Sequence, residues 1–206
     1  MSIIIAGIHT GIGKTVCSAV ICQALGYDYW KPVQAGDLEH SDSVFIQNNV
    51  SNPSCKIYPE RYKLVTAASP HYAAQLEGIT IQKENFSLPK SPNNIVVETA
   101  GGLMSPLANG FLNIDLIEHL NLPVVLVSNN YLGSINHTLL SYAVLKNRNI
   151  STIGIVFSGE ETSASEQFIL ENTPLPLLFS IPLFEKIDAA TISEFVQKIS
   201  LNFSTK

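Results

Sequence analysis

The sequence predicts an α/β fold: a mostly parallel sheet with helices on both faces. Short β-branched runs alternate with helical patterns along the 206 residues. Runs such as NIVVE (Asn94–Glu98) and VVLVS (Val124–Ser128) are apolar without alternation, as strands covered on both faces are. Strand, helix and strand in series imply parallel neighbours joined by right-handed crossovers.

The elements follow in order. Strands are expected at Ser2–Ala6, Tyr27–Val33, Asn94–Glu98, Pro123–Ser128 and Thr152–Phe157, with a weaker one at Leu175–Phe179. Helical patterns lie between them. Lys14–Leu25 begins at a glycine turn, and Ser41–Asn48 has Ser41 as its N-cap. Pro70–Glu77 has Ser69 to cap it and Pro70 at its first position. Ile114–His119, Ser134–Lys146 and Ser163–Glu171 follow, and an amphipathic stretch, Ala190–Leu201, closes the chain. Residues 1–206 are expected to form a single domain, the usual size for this length.

Composition narrows the function. At 46% hydrophobic and 14% charged, the chain can bury a large core. With 12 basic and 17 acidic side chains the net charge is −5, which argues against a nucleic-acid or anionic-membrane partner. No apolar run approaches the ~20 residues of a membrane span, and no basic segment precedes the short N-terminal apolar run. Cys17, Cys22 and Cys55 have no metal-ligand spacing and read as packing thiols of a cytoplasmic protein.

In such sheets ligands bind beyond the carboxyl ends of the strands. The first strand runs into GIHTGIGKTV, Gly7 to Val16. Strand, glycine-rich loop and Gly-Lys-Thr at a helix start form a phosphate-binding loop, although five residues rather than four separate Gly7 from Gly13. Gly11 and Gly13 can take positive φ and let backbone N–H groups converge on an anion. The helix start adds free N–H groups and partial positive charge. Lys14 is expected between the β- and γ-phosphates, and Thr15 is expected to give its hydroxyl to Mg²⁺. Gly11, Ile12, Gly13, Lys14, Thr15 and Val16 are therefore candidate nucleotide-binding residues. His9 reads either as a solvent-facing loop residue or as a substrate contact.

Other strand ends carry charge. Lys31, in WKPVQAG, leaves the sheet edge beside the loop and is a candidate anion binder. Asp42, in HSD, either complements its helix dipole or faces the phosphates as a metal ligand. Glu98 ends IVVETAGG, where an unpaired buried carboxylate would cost several kcal/mol and a bound cation would neutralise it. Thr15, Asp42 and Glu98 then form a hard oxygen site suited to Mg²⁺. In NYLGSINH, Gly133 precedes a helix start near Ile135 and Asn136, a further anion site suited to a carboxylate. His137 reads as an interface or packing residue.

The ordered set TGIGKT, KPVQAG, HSD, ASPH, VETAGG and LGSINH resembles the dethiobiotin synthetase family over roughly residues 3–183. That resemblance implies a phosphate-loop (P-loop) NTPase-like fold. It also implies an ATP-dependent cyclo-ligase that joins 7,8-diaminononanoate and CO₂ into a cyclic urea, with Mg²⁺ as cofactor and ATP as co-substrate. Lys31 would be the active-site lysine, aided by Lys14. Asp42, Glu98, Thr99, Ala100 and Gly101 would border the nucleotide on one side. Ser158, Gly159, Pro182, Leu183 and Phe184 would border it at the base. Thr10, Lys14, Lys31, Ser69 and Pro70 would border the diamine. The family is homodimeric, so Leu132, Gly133 and Asn136 of a second subunit would hold the substrate's carboxylate tail. His9 stands where the family commonly has Asp, Ala35 where a hydroxyl often touches substrate, and Ser158 where an Asn-Asp pair can read adenine. A competing reading is a P-loop dimeric ATPase switch of the partitioning or positioning type.

Overall fold

The computed structural model describes residues 1–199. Its strands are β1 (Ile3–Gly7), β2 (Asp28–Trp30), β3 (Val33–Ala35), β4 (Ile57–Tyr58), β5 (Tyr62–Leu64), β6 (Ile95–Gly102), β7 (Pro106–Ala108), β8 (Phe111–Leu112), β9 (Val124–Asn129), β10 (Thr152–Ser158) and β11 (Leu177–Ile181). Its helices are α1 (Lys14–Leu25), α2 (Asp42–Asn49), α3 (Pro70–Leu76), α4 (Asn113–Leu120), α5 (Ser134–Asn147), α6 (Ser163–Glu171) and α7 (Ala189–Lys198). Short 3₁₀ turns cover Leu38–His40 and Lys83–Asn85.

Seven strands form one sheet in the order β11-β10-β9-β1-β6-β2-β4, and every pair in it is parallel. Helices flank this sheet: α1, α2 and α7 pack together, and α5 packs on α6. From β1 the chain winds first toward β2 and β4, then returns past β1 to β9, β10 and β11. The strand order therefore reverses around β1, and a crevice opens beyond its carboxyl end. Every residue of β1 is buried. Its isoleucines, with Val96, Val97 and Val124 to Val127, form the centre of the core, and each fully buried side chain of this kind contributes about 1.5–3 kcal/mol.

The expected strand Tyr27–Val33 is two strands. β2 stops at Trp30 and β3 resumes at Val33, leaving the main sheet to pair with β5. Pro32 has no N–H for a ladder and restricts the backbone of Lys31. The Pro32 carbonyl instead accepts from Arg61 and Tyr62 N–H at 2.9 and 3.0 Å. This break leaves Lys31 between the two sheets.

β6 runs beyond the expected end at Glu98, because its pairing with β1 resumes at Gly7–Gly102 past an irregularity. β4 and the β7–β8 hairpin, two or three residues per strand, are too short to carry a period. The weak run near Leu175 forms its strand two residues later. α7 starts one residue before the expected helix, whose last two positions, 200 and 201, lie outside the described residues. Ser41 caps α2 through a 3.4 Å bond from Val44 N–H. Ser69 occupies the N-cap of α3 without capping it, since its hydroxyl pairs with His71 Nδ1 at 3.0 Å. Cys17 and Cys22 are buried and Cys55 is half-buried. Among the described residues no helix is long and apolar enough to cross a membrane.

Candidate active site

The loop after β1 ends at Gly13, the N-cap of α1, with φ +90. A side chain there would be strained in this left-handed conformation. It would also overlap Ser158 Oγ and lie 2.9 Å from Ser158 Cβ. The chain thus brings β10 hard against the loop, and only glycine fits the contact. Ile12 is buried, Val16 half-buried and Gly11 exposed. Lys14 folds back over the loop and donates to the His9 carbonyl at 3.1 Å. Burial lowers its ammonium pKa to about 8; Glu98 opposes that shift and Lys31 adds to it.

Thr15, Asp42 and Glu98, which come from three elements, meet at one point. The Thr15 hydroxyl lies 2.6 Å from Asp42 Oδ1 and 2.8 Å from Glu98 Oε1. It carries one hydrogen, so it can donate to only one of these carboxylates at a time. Lys31 Nζ pairs with Asp42 Oδ2 and lies 3.7 Å from Glu98 Oε1. Burial lowers the Lys31 pKa, while Glu98 and Glu60 raise it. Glu98 is 1% exposed, but it is not orphaned: Ser18 Oγ and Tyr29 OH donate to its Oε2 at 2.8 and 3.0 Å. Burial, reinforced by Glu98, pushes the Tyr29 phenol well above its usual pKa. Asp42 thus serves the cleft as well as the helix start. Two carboxylates around one shared hydroxyl hydrogen form an all-oxygen set short of positive charge, which suits a hard divalent ion. Among the described residues no cluster of three or more His, Cys, Asp or Glu side chains could hold a metal, so any ion here would rest on two carboxylates and a hydroxyl.

A cleft of about 490 Å³ opens beside this cluster. Its walls include Thr10, Lys31, Asp42, Ser69, Pro70, Ala100 and Gly101, all singled out from the sequence. Gln34, Ala67, Ala68, Ser105 and Pro106 also line it; these the sequence did not mark. Asn113, also unmarked, pins the end of β6 by donating to the Ala100 carbonyl and, at 2.9 Å, to that of Gly102. Thr99 is buried and donates to the Ile5 carbonyl at 3.3 Å, so its side chain faces away from the cleft. Ser18 had a legible signal, since it lies three residues from Thr15 on the same helical face. Glu60, held at 2.6 Å by the Ser43 hydroxyl, had none.

A second hollow of about 470 Å³ shares Thr10 and continues past Ile8, His9, Met104, His137 and Leu140. His9 is exposed and its Nδ1 pairs with the Thr10 carbonyl at 2.8 Å. Leu132, Gly133 and Asn136 line neither cavity of their own chain, and Leu132 is fully exposed.

On the other side of the loop, a hollow of about 270 Å³ is lined by Gly159, Pro182, Leu183, Glu160, Glu161 and Glu166, among others. Ser158 does not line it, because its side chain is turned onto Gly13. Phe184 does not line it either; it stacks edge-on against Phe195 with centroids 5.4 Å apart.

Comparison with known proteins agrees with this architecture. A family model described as an AAA domain matches residues 1–191. The chain is 44% identical to the ATP-dependent dethiobiotin synthetase BioD of Christiangramia forsetii, covering 96% of this chain and 95% of that protein. It is 42% identical to the protein of the same name from Rhodopseudomonas palustris strain CGA009, over 92% of this chain and 90% of the relative. Among solved structures, a ParA family ATPase from Chlorobium tepidum superposes with a TM-score of 0.57 at 14% identity, covering 96% of this chain and 99% of that one. The septum site-determining protein MinD from Pyrococcus horikoshii gives 0.58 at 14%, with 96% of each chain covered. These two share the P-loop NTPase fold and nothing finer at such identity. The sequence relatives are of another order, and by their identity and coverage the chain belongs to the ATP-dependent dethiobiotin synthetase family.

Proposed function

We propose that this chain is a Mg²⁺- and ATP-dependent cyclo-ligase that converts 7,8-diaminononanoate and CO₂ to dethiobiotin, ADP and phosphate. The observation that carries this reading is the convergence of Thr15, Asp42, Glu98 and Lys31 at one point, with Lys14 close enough to feel Glu98 and Lys31, beside a cleft that Lys31 and Asp42 line. One amine attacks CO₂ and loses a proton, giving a carbamate. The γ-phosphoryl group passes to a carbamate oxygen, and the second amine then closes the urea and expels phosphate. A carbamate and a triphosphate repel each other, so positive charge between them lowers the barrier.

Lys31, on the diamine cleft, would hold the carbamate, while Lys14 would bind the transferring phosphoryl group. The loop Gly11–Val16 would cradle the phosphates, and backbone at Thr99–Gly101 would border them. Thr15, Asp42 and Glu98 would hold Mg²⁺, which would neutralise phosphate charge. Positive charge from the two lysines together with a bound Mg²⁺ would outweigh Asp42 and Glu98 and favour the free-amine form of an incoming diamine. Thr10, Ser69 and Pro70 would border the diamine. Gly159, Pro182 and Leu183 would flank the base. No covalent nucleophile is needed; positioning and charge suffice.

The exposed apolar residues Met104, Leu132 and Leu140 support a homodimer in which Leu132, Gly133 and Asn136 of the second copy hold the substrate tail. Three free thiols support a cytoplasmic location. ADP release that requires both diamine and bicarbonate tests the proposal. Release indifferent to the diamine would overturn it.

A further inference from the structure

The cleft wall holds an acceptor that the free protein does not satisfy. Gln34, on β3, lines the cleft beside Lys31 and Ala35 and is 8% exposed. Its Nε2 donates to the Gly36 carbonyl at 2.9 Å. That bond fixes which end of the amide is which, because only the NH₂ group can donate. The other end, Oε1, is buried with no hydrogen-bond partner. A buried acceptor left unpaired costs about 1–3 kcal/mol, and native proteins seldom leave one so. The missing partner is therefore a donor. Ala35, Ala67 and Ala68 have no side-chain donor, the Lys31 ammonium is committed to Asp42 and Glu98, and the Thr10, Ser69 and Ser105 hydroxyls on the same walls make no bond to Oε1.

We propose that Gln34 Oε1 accepts an N–H from one amine of the diamine substrate, fixing the direction of that nitrogen's lone pair. This rests on the diamine occupying the cleft, as proposed above. It also assigns a source of specificity. An analogue with a keto oxygen at that carbon brings an acceptor against an acceptor and is rejected, so Gln34 separates the diamine from an amino-ketone of the same length. The contact compensates for Ala35, whose methyl group cannot hydrogen-bond the substrate.

Two variants test it by steady-state kinetics and by calorimetric binding of the diamine. Gln34→Leu removes both ends of the amide, and Gln34→Glu keeps an acceptor in place while exchanging the donor to Gly36 for a second oxygen and adding a negative charge. The diamine KM is expected to rise about tenfold in Gln34→Leu, a typical loss for one hydrogen bond, with the ATP KM unchanged and the preference for diamine over amino-ketone reduced by a similar factor. Gln34→Glu is expected to keep the diamine KM within about threefold and to keep the preference. Equal losses in both variants would make Gln34 a prop for Gly36 and overturn the inference. So would an unchanged KM in Gln34→Leu. A wild-type protein with no diamine-dependent turnover but measurable diamine binding would count against the proposed reaction and leave the Gln34 contact to be judged by calorimetry.

Discussion

The Thr15 hydroxyl lies 2.8 Å from Glu98 Oε1, although 83 residues separate them in the chain. One belongs to the helix after β1 and the other to the middle of β6. The parallel pairing of β1 with β6 brings them together, matching Ile5 with Glu98. Lys31 reaches the same point from the break between β2 and β3.

Removing the Lys31 ammonium should abolish chemistry without unfolding the protein. In Lys31→Ala, diamine-dependent ADP formation is expected to fall by at least about 10²-fold, the loss typical of one charge-stabilising donor. Circular dichroism should be unchanged, since Glu98 keeps its bonds from Ser18 and Tyr29. Activity within a few-fold of wild type would remove Lys31 from the site.

Glu98→Gln should act on both metal use and stability. An amide NH₂ at the Oε1 position would face the Lys31 ammonium, a donor only, and would oblige the Thr15 hydroxyl to accept rather than donate there. The expected cost is about 1–3 kcal/mol in denaturant unfolding. The KM for Mg²⁺-nucleotide should rise more than the Kd for the diamine alone, measured by calorimetry.

Gly13→Ala should cripple the loop. The methyl group would meet Ser158 and the backbone would be held at φ +90. Nucleotide affinity, followed by fluorescence of a labelled ADP, is expected to drop at least about tenfold, from strain of roughly 1–2 kcal/mol plus the steric clash. Removing the Ser158 hydroxyl with Ser158→Ala should recover only part of that loss, because the φ strain persists.

Thiol reactivity offers a pH test independent of activity. Burial, with Glu98 adding to it, pushes the Cys17 thiol well above its usual pKa, and burial also raises Cys22. The neighbouring Cys22 thiol instead lowers Cys55, which is half-buried. A thiolate is the reactive form, so a lowered pKa moves the onset of reactivity to lower pH. A colorimetric disulfide reagent is expected to titrate one thiol per native chain and three in denaturant. The midpoint for that one thiol should lie below 9.0, and Cys22→Ala should move it up.

Leu132→Asp places a charge on a fully exposed apolar side chain. Light scattering is expected to show a monomer, with little change in melting temperature and a raised KM for the diamine. A variant that stays dimeric with normal kinetics would place the interface elsewhere.

The phosphate loop was legible because its residues are contiguous: glycines that permit the turn, a lysine and a threonine at the helix start. The strands were legible where five or more apolar residues ran together, as in β1 and β9. β4 and the β7–β8 hairpin were not, because two or three residues carry no period. Lys31 was read as a strand-end lysine, but the proline beside it breaks the strand, and that break is what leaves the ammonium buried between Asp42 and Glu98. Ser158 and Phe184 were assigned to the base by position in the chain. In the structure the Ser158 side chain is turned onto Gly13 and the Phe184 ring packs against Phe195.

By itself the sequence determined the parallel α/β plan, the glycine-rich turn at the helix start and the candidate charged residues, since all of these follow from local pattern and the chemistry of single side chains. Tertiary structure alone decided which of them touch. It set two carboxylates around one hydroxyl, gave buried Glu98 its Ser18 and Tyr29 donors, and left Gln34 Oε1 buried without a partner in a residue of the cleft wall. Those relations depend on strand register and rotamer, which are fixed only when the whole sheet has closed over its core.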